Sequence, residues 1–155
     1  MKILAVAHSK ELKDPLFKAG LLYLGRCHSP FKAKIELVDP DLSASKQTAA
    51  LLGSSAGSGK PMGAASNDVF VVLDPRGELL SSEQFSARLQ GWLSQGKKPV
   101  FLIGAASGHT PEVRAAARTL LSLSPMTLPH RMAFLMLAEQ IYRAQEIARN
   151  GPYHK

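Results

Sequence analysis

Two short segments, residues 69–73 (VFVVL) and 100–103 (VFLI), are apolar at every position. Successive side chains of a strand point to opposite faces, so a strand with one wet face alternates apolar and polar residues. A strand apolar on both faces must be covered on both, and a parallel sheet flanked by helices does this. Residues 2–7 (KILAVA) read as a third strand, 34–38 (KIELV) as an alternating one, and 121–128 (LSLSPMTL) as a weaker one broken by Pro125. Helical patterns separate them. Asp14 and Pro15 form a helix start, cap then first turn, and Leu16, Ala19, Tyr23 and Cys27 follow at helical spacing. Residues 43–52 predict a short helix. Residues 82–94 predict a longer one with Phe85, Leu89, Trp92 and Leu93 on one face. Thr110-Pro111-Glu112 caps a helix expected to run to about Leu120, and a last helix runs from about His130 to Asn150, stopped by Gly151-Pro152. The alternation predicts an α/β fold, a mostly parallel sheet flanked by helices, as one domain over residues 1–155.

Ligands of such sheets bind outside the carboxyl ends of the strands. That rule points to residues 73–77, 104–109 and 128–130. Residues 102–108 (LIGAASG) leave a strand for a small-residue turn before the capped helix. Glycines there let a backbone approach a ligand closely, and an ordinary tight turn has the same composition. Residues 121–130 (LSLSPMTLPH) place two prolines inside an apolar run, and proline lacks a ladder donor. The segment reads as an irregular loop offering backbone groups to a ligand, or as a buried connector. The first half of the last helix is apolar on nearly every face. Such a helix is buried all round or pairs with another subunit, and we expect a homodimer with Met132, Phe134, Leu135 and Met136 near the interface.

Several chemistries are excluded. The single cysteine, Cys27, rules out an intrachain disulfide and a zinc site built on two cysteines, and its place on an apolar face makes it core. The five histidines (His8, His28, His109, His130, His154) contain no i, i+4 pair, so no metal site is expected. Residues 54–61 (SSAGSGKP) superficially resemble a phosphate-binding loop. Ser54 replaces its first glycine and Pro61 its Mg-binding hydroxyl, so the low-complexity stretch 53–67 is expected to be a mobile surface loop. No apolar run approaches ~18 residues, so no membrane span is expected. The N-terminal apolar run is too short for a signal peptide, which predicts a cytoplasmic protein. Nineteen Lys and Arg against twelve Asp and Glu give a net charge of +7, spread along the chain. An anionic partner fits that balance, with nucleic acid first among them.

Three stretches taken together are far more specific than their parts: 73–89 (LDPRGELLSSEQFSARL), 101–117 (FLIGAASGHTPEVRAAA) and 121–155 (LSLSPMTLPHRMAFLMLAEQIYRAQEIARNGPYHK). They resemble the bacterial ribosomal RNA large subunit methyltransferase H family, which are SPOUT-class enzymes. The resemblance covers the chain in length and order. Its most specific elements are YRA at 142–144 and PYH at 152–154. It implies an α/β knot with a C-terminal trefoil, a homodimer, and S-adenosylmethionine as methyl donor. The implied substrate is N3 of a pseudouridine in helix 69 of 23S rRNA, within the assembled 70S ribosome. The implied cofactor residues are Leu73, Gly104, Gly108, Leu123, Ser124, Pro125, Met126, Thr127 and Leu128. Tyr153 and His154 of one subunit would complete the substrate side of the other. The proton leaving N3 calls for a base or anion-stabilising group, for which His154, His130 and Arg143 are available alongside Tyr153. The chain departs from the family's usual Gly-Gly-Pro-x-Gly loop, with Gly104-Ala105-Ala106-Ser107-Gly108 in its place. It also carries Gly, Ser and Ala over 43–67 where the family has a Lys/Glu-rich helix. The alternative is an RNA-binding dimer of the same fold that has lost catalysis through the altered glycine loop.

Overall fold

A computed structural model describes residues 1–53, 67–105 and 107–154 of the chain. Five strands, β1 (Lys2–Val6), β2 (Lys34–Val38), β3 (Asp68–Leu79), β4 (Lys98–Ile103) and β5 (Thr119–Ser122), form one sheet in the order β2-β1-β4-β3-β5. Every pairing is parallel. Five helices, α1 (Pro15–Gly25), α2 (Ala44–Leu52), α3 (Ser82–Ser94), α4 (Pro111–Ala115) and α5 (His130–Ala148), cover it, and a 3-10 turn (Ser9–Lys13) that the pattern did not announce precedes α1.

The two-sided strands work as their composition predicts. Ile3, Ala5, Val69, Val71, Phe101 and Ile103 face one core, filled by Phe17 and Leu24 of α1, Phe85 and Leu89 of α3, and Phe134, Leu137 and Ile141 of α5. Their neighbours Leu4, Val6, Phe70, Val72, Val100 and Leu102 face a second, smaller core under Leu51 of α2 and Val113 of α4. Two helix starts are capped as read, the Asp14 carboxylate accepting the Leu16 amide at 2.9 Å and the Thr110 hydroxyl the Val113 amide; α3 is capped by Ser81, whose hydroxyl accepts the Gln84 amide. Cys27 is core, its thiol pushed up to about 11 by burial and by Glu146.

Three expectations need correction. The helix after Thr110 ends at Ala115 rather than near Leu120, because Thr119 and Leu120 pair with Val71 and Val72 of β3. Completing the ladder outweighs the helix preference of that stretch. The strand expected over 121–128 is displaced for the same reason and is already over at Ser122; Leu123 to Pro129, with both prolines, is loop. Phe134 is no interface residue: it is fully buried, stacked on Phe17 at 4.7 Å between ring centroids. The loop expected over 53–67 lies, apart from Gly53 and Asn67, outside the described residues, as do Ala106 and Lys155.

Candidate functional site

The site begins with an interruption in β3. Leu73 and Glu78 both pair with Leu121 of β5, so residues 74–77 leave the ladder between them. Pro75 has no amide proton to donate, which makes a ladder break local and cheap. The excursion lifts Asp74, Pro75 and Arg76 above the carboxyl edge of the sheet, where the turn after β4 and the loop after β5 also arrive. These three segments enclose a cleft of about 670 Å³, lined among others by Leu73, Asp74, Arg76, Gly104, Gly108, His109, Arg114, Thr127, Leu128 and His130. A recess of about 70 Å³ adjoins it at Leu73, Asp74 and Leu128, with Leu123, Ser124 and Met126 in its wall. Of the nine cofactor positions expected from the sequence, all but Pro125 line one or the other.

The turn after β4 is tight. Gly108 has φ +78 and its amide donates to the Ala105 carbonyl at 2.8 Å. A Cβ on Gly104 would lie 3.1 Å from both the Gly108 carbonyl carbon and His109 Nε2. Left-handed backbone therefore falls on a glycine, and Ala105 needs none. The loop after β5 is shaped by its serines: the Ser122 hydroxyl donates to the Ser124 carbonyl at 2.8 Å, and the Met126 amide to the Ser124 hydroxyl at 3.0 Å.

The polar lining brings together Asp74, Arg76 and His109, which lie in the strand-end segments the sequence pointed to without a role of their own, and Arg114, which lies outside them. The Asp74 side chain, 3% exposed, accepts Arg76 Nε at 3.0 Å and Arg76 Nη2 at 3.1 Å, and Arg114 Nε at 2.8 Å. The Arg76 hydrogen bond first, then Arg114, hold its carboxyl well below the usual carboxylate range against the opposing effect of burial. His109 is buried, and among the described residues neither ring nitrogen makes a well-formed hydrogen bond, the Leu102 backbone being its one weak polar contact. Burial, with Arg114 adding to it, pulls its pKa down, so the ring is neutral near pH 7. The signal for Asp74 and for His109 lay in their strand-end positions; nothing local marked Arg114.

The four expected catalytic residues fall into two groups. His130, the first residue of α5, lines the cleft, and its Nε2 lies 2.6 Å from Glu11 Oε2. Burial works to raise the Glu11 carboxyl, but hydrogen bonds from His130, Arg131 and the His8 amide outweigh it and bring it to about 2. The other three sit on a different face. Tyr153 packs edge-on against Tyr142, lies under the Arg143 guanidinium at 4.8 Å, and donates to Glu139 Oε1 at 3.0 Å. His154 Nε2 lies 2.8 Å from Glu83 Oε1. The tail is thus docked, not a frayed end. None of Glu83, Glu139, Tyr142 or Arg143 lines the cleft. Away from both groups, His8, Asp39 and Asp41 bring ligand atoms within 4.8 Å of one another on an open surface, which exposed acids commonly do without an ion. Among the described residues, no helix is long and apolar enough to cross a membrane.

The family model described as "Predicted SPOUT methyltransferase" matches residues 1–154. Several curated proteins named "Ribosomal RNA large subunit methyltransferase H" are similar. The one from Stenotrophomonas maltophilia (strain K279a) is 48% identical over 89 residues, 57% of each chain. The one from Thermus thermophilus is 48% identical over 85 residues, 55% of this chain and 61% of the relative. These matches span a little over half the length of those relatives. The one from Ralstonia pickettii (strain 12J) is 32% identical over 155 residues, 100% of this chain and 99% of the relative.

Proposed function

This chain belongs to the SPOUT methyltransferase family, and from that premise we propose that it uses S-adenosylmethionine to methylate N3 of a pseudouridine in helix 69 of 23S rRNA. It acts on the assembled 70S ribosome in the cytoplasm, as a knotted, single-domain homodimer. The observation that carries the reading is the convergence of the β3 excursion, the Gly104–Gly108 turn and the loop after β5 on one cleft, of a volume that suits a nucleoside-sized ligand.

The residues present fit that cofactor. Gly104 lets the cleft floor approach closely where a side chain would collide with Gly108. Asp74, Arg76 and Arg114 together leave one positive charge over, which suits a carboxylate on an amino-acid moiety. The loop 123–128 offers amides and carbonyls to a base edge. When bound, S-adenosylmethionine supplies an electrophilic methyl that a nitrogen takes in one in-line displacement. The N3 proton must leave, and His130 is the expected base that faces the cleft. A carboxylate at Nε2 fixes the tautomer that leaves Nδ1 as the acceptor. Arg143, Tyr153 and His154 reach a cleft only if a second subunit brings them, which is the reason for the dimer; there they stack on the base and hold phosphate. The catalytically silent alternative draws no support from Ala105, whose backbone needs no glycine.

The test is transfer of labelled methyl from S-adenosylmethionine to ribosomes lacking the modification. The unsubstituted protein transfers it, and His130→Ala slows transfer by about 100-fold or more while retaining the cofactor. Absence of transfer by the unsubstituted protein overturns the assignment.

A further inference from the structure

A parallel sheet places the first residues of all its strands along one edge, with adjacent strands about 4.8 Å apart. In this chain that edge is the one opposite the cleft, and lysine opens three adjacent strands on it: Lys34 of β2, Lys2 of β1 and Lys98 of β4. Lys2 and Lys34 are direct cross-strand partners. Like charges facing one another in a ladder work against the sheet, so this pairing is not there for stability. Lys32, just before β2, adds a fourth cation. All four line a recess of about 310 Å³ whose wall also holds Pro99 and Val100. The neighbouring carboxylates are Asp68, opposite Lys98 in the ladder, and Glu36, 3.3 Å from Lys2. Four lysines against two carboxylates leave the edge positive, and all four are exposed.

We propose that this lysine-lined edge is a second RNA-contact surface, which holds the phosphate backbone of the large structured RNA whose reacting nucleotide occupies the cleft at the other end of the sheet. The inference rests on the rRNA substrate proposed above. β4 spans the molecule between the two, and its six residues at ~3.3 Å each put the surfaces roughly 20 Å apart. A free nucleotide in the cleft does not reach that far, whereas a ribosome does. Exposed ammonium groups on flexible stems suit phosphates of no particular sequence. The surface therefore contributes affinity and orientation without reading bases.

The experiment compares the full chain with a variant carrying Lys2→Gln, Lys32→Gln, Lys34→Gln and Lys98→Gln, and with a second variant carrying arginine at the same four positions. Thermal melting and S-adenosylmethionine binding of both are expected to match the unsubstituted protein. For the glutamine variant, KM for ribosomes rises about tenfold or more with kcat unchanged, and the slope of log affinity against log salt falls by about 2–3. The arginine variant keeps both values. With a free uridine nucleotide, glutamine and unsubstituted proteins bind alike. An unchanged KM and salt slope in the glutamine variant, with the unsubstituted protein active, overturns this surface and leaves the proposed function standing. A change in oligomeric state in the glutamine variant also overturns it, since the lysines would then belong to a protein interface. If the unsubstituted protein binds no ribosome, both readings fall together.

Discussion

His109 is the residue whose surroundings least resemble what its type requires. A buried imidazole normally has a partner for each nitrogen, because an unmet polar group costs about 1–3 kcal/mol. Among the described residues His109 has no well-formed partner, only a weak approach to the Leu102 backbone, and it stands beside Gly104 at the cleft. Leucine has nearly its volume and no polar atoms, so His109→Leu is expected to stabilise the free protein by about 1 kcal/mol, read as a raised Tm at pH 7. The pH dependence has a definite sign. The folded pKa lies below the ordinary 6.5, so the unfolded chain binds the proton more readily. Stability is full above that value and is lost as pH falls below it; His109→Leu should remove that part of the slope, and an unaltered slope would show the ring is satisfied. Glu11 has a folded value of about 2 against an ordinary 4.5. It stabilises above pH 4.5, and that contribution disappears as pH falls toward 2. Glu11→Gln should therefore cost on the order of 2 kcal/mol at pH 7 and converge with the unsubstituted protein in acid, as urea unfolding at the two pH values will show. Neither prediction was legible in the sequence. Glu11 acquires its environment only when His130 and Arg131, 119 and 120 residues along the chain, fold onto it, and His109 acquires its own only when the packed chain buries it.

At the scale of elements the sequence was largely transparent where a rule acts locally. Asp14-Pro15 and Thr110-Pro111 name their helix starts, because a cap and its amides lie within three residues. It was opaque where a partner strand decides. Residues 116–120 carry a helical pattern, yet β3 claims Thr119 and Leu120. The excursion at 74–77, which builds one wall of the cleft, shows locally only as Pro75 and Gly77. Gly77 has a specific reason to be glycine: a Cβ there would stand 2.5 Å from the Leu120 carbonyl carbon and 2.6 Å from its oxygen. Those are backbone atoms held in the sheet, so nothing yields easily. Gly77→Ala is expected to destabilise by about 2–3 kcal/mol in urea unfolding. Gly25, at the end of α1, has nothing within 4 Å of the same position. There the identical substitution is expected to be neutral or to stabilise by about 0.5 kcal/mol. Equal effects at the two glycines would remove the steric account.

At the scale of the molecule, the site is divided. The cleft, with His130, lies at the carboxyl edge of the sheet, while Tyr153 and His154 are fastened to Glu139, Tyr142, Arg143 and Glu83 on the face of α3 and α5. Sequence reasoning brought these residues into one list because the resemblance did, and a single chain does not bring them into one place. Closed twofold symmetry resolves this if each tail serves the opposite cleft. Met132 on α5, 42% exposed, and the half-buried Leu135 and Met136 give that pairing apolar surface. The arrangement makes a prediction that one-chain catalysis does not. A chain lacking Tyr153–Lys155 keeps its cleft and loses its tail; a chain with Gly104→Val keeps its tail and loses its cleft, because the new side chain meets Gly108 and His109. Each should fold, dimerise and be inactive alone in methyl transfer to ribosomes, and only the first should bind S-adenosylmethionine. Mixed and allowed to exchange subunits, half of the dimers carry one of each, and every mixed dimer has one complete site of two. Activity should therefore return to about a quarter of the unsubstituted level. No recovery on mixing would mean that tail and cleft act within one chain, and full activity of the truncated chain alone would remove the tail from the reaction.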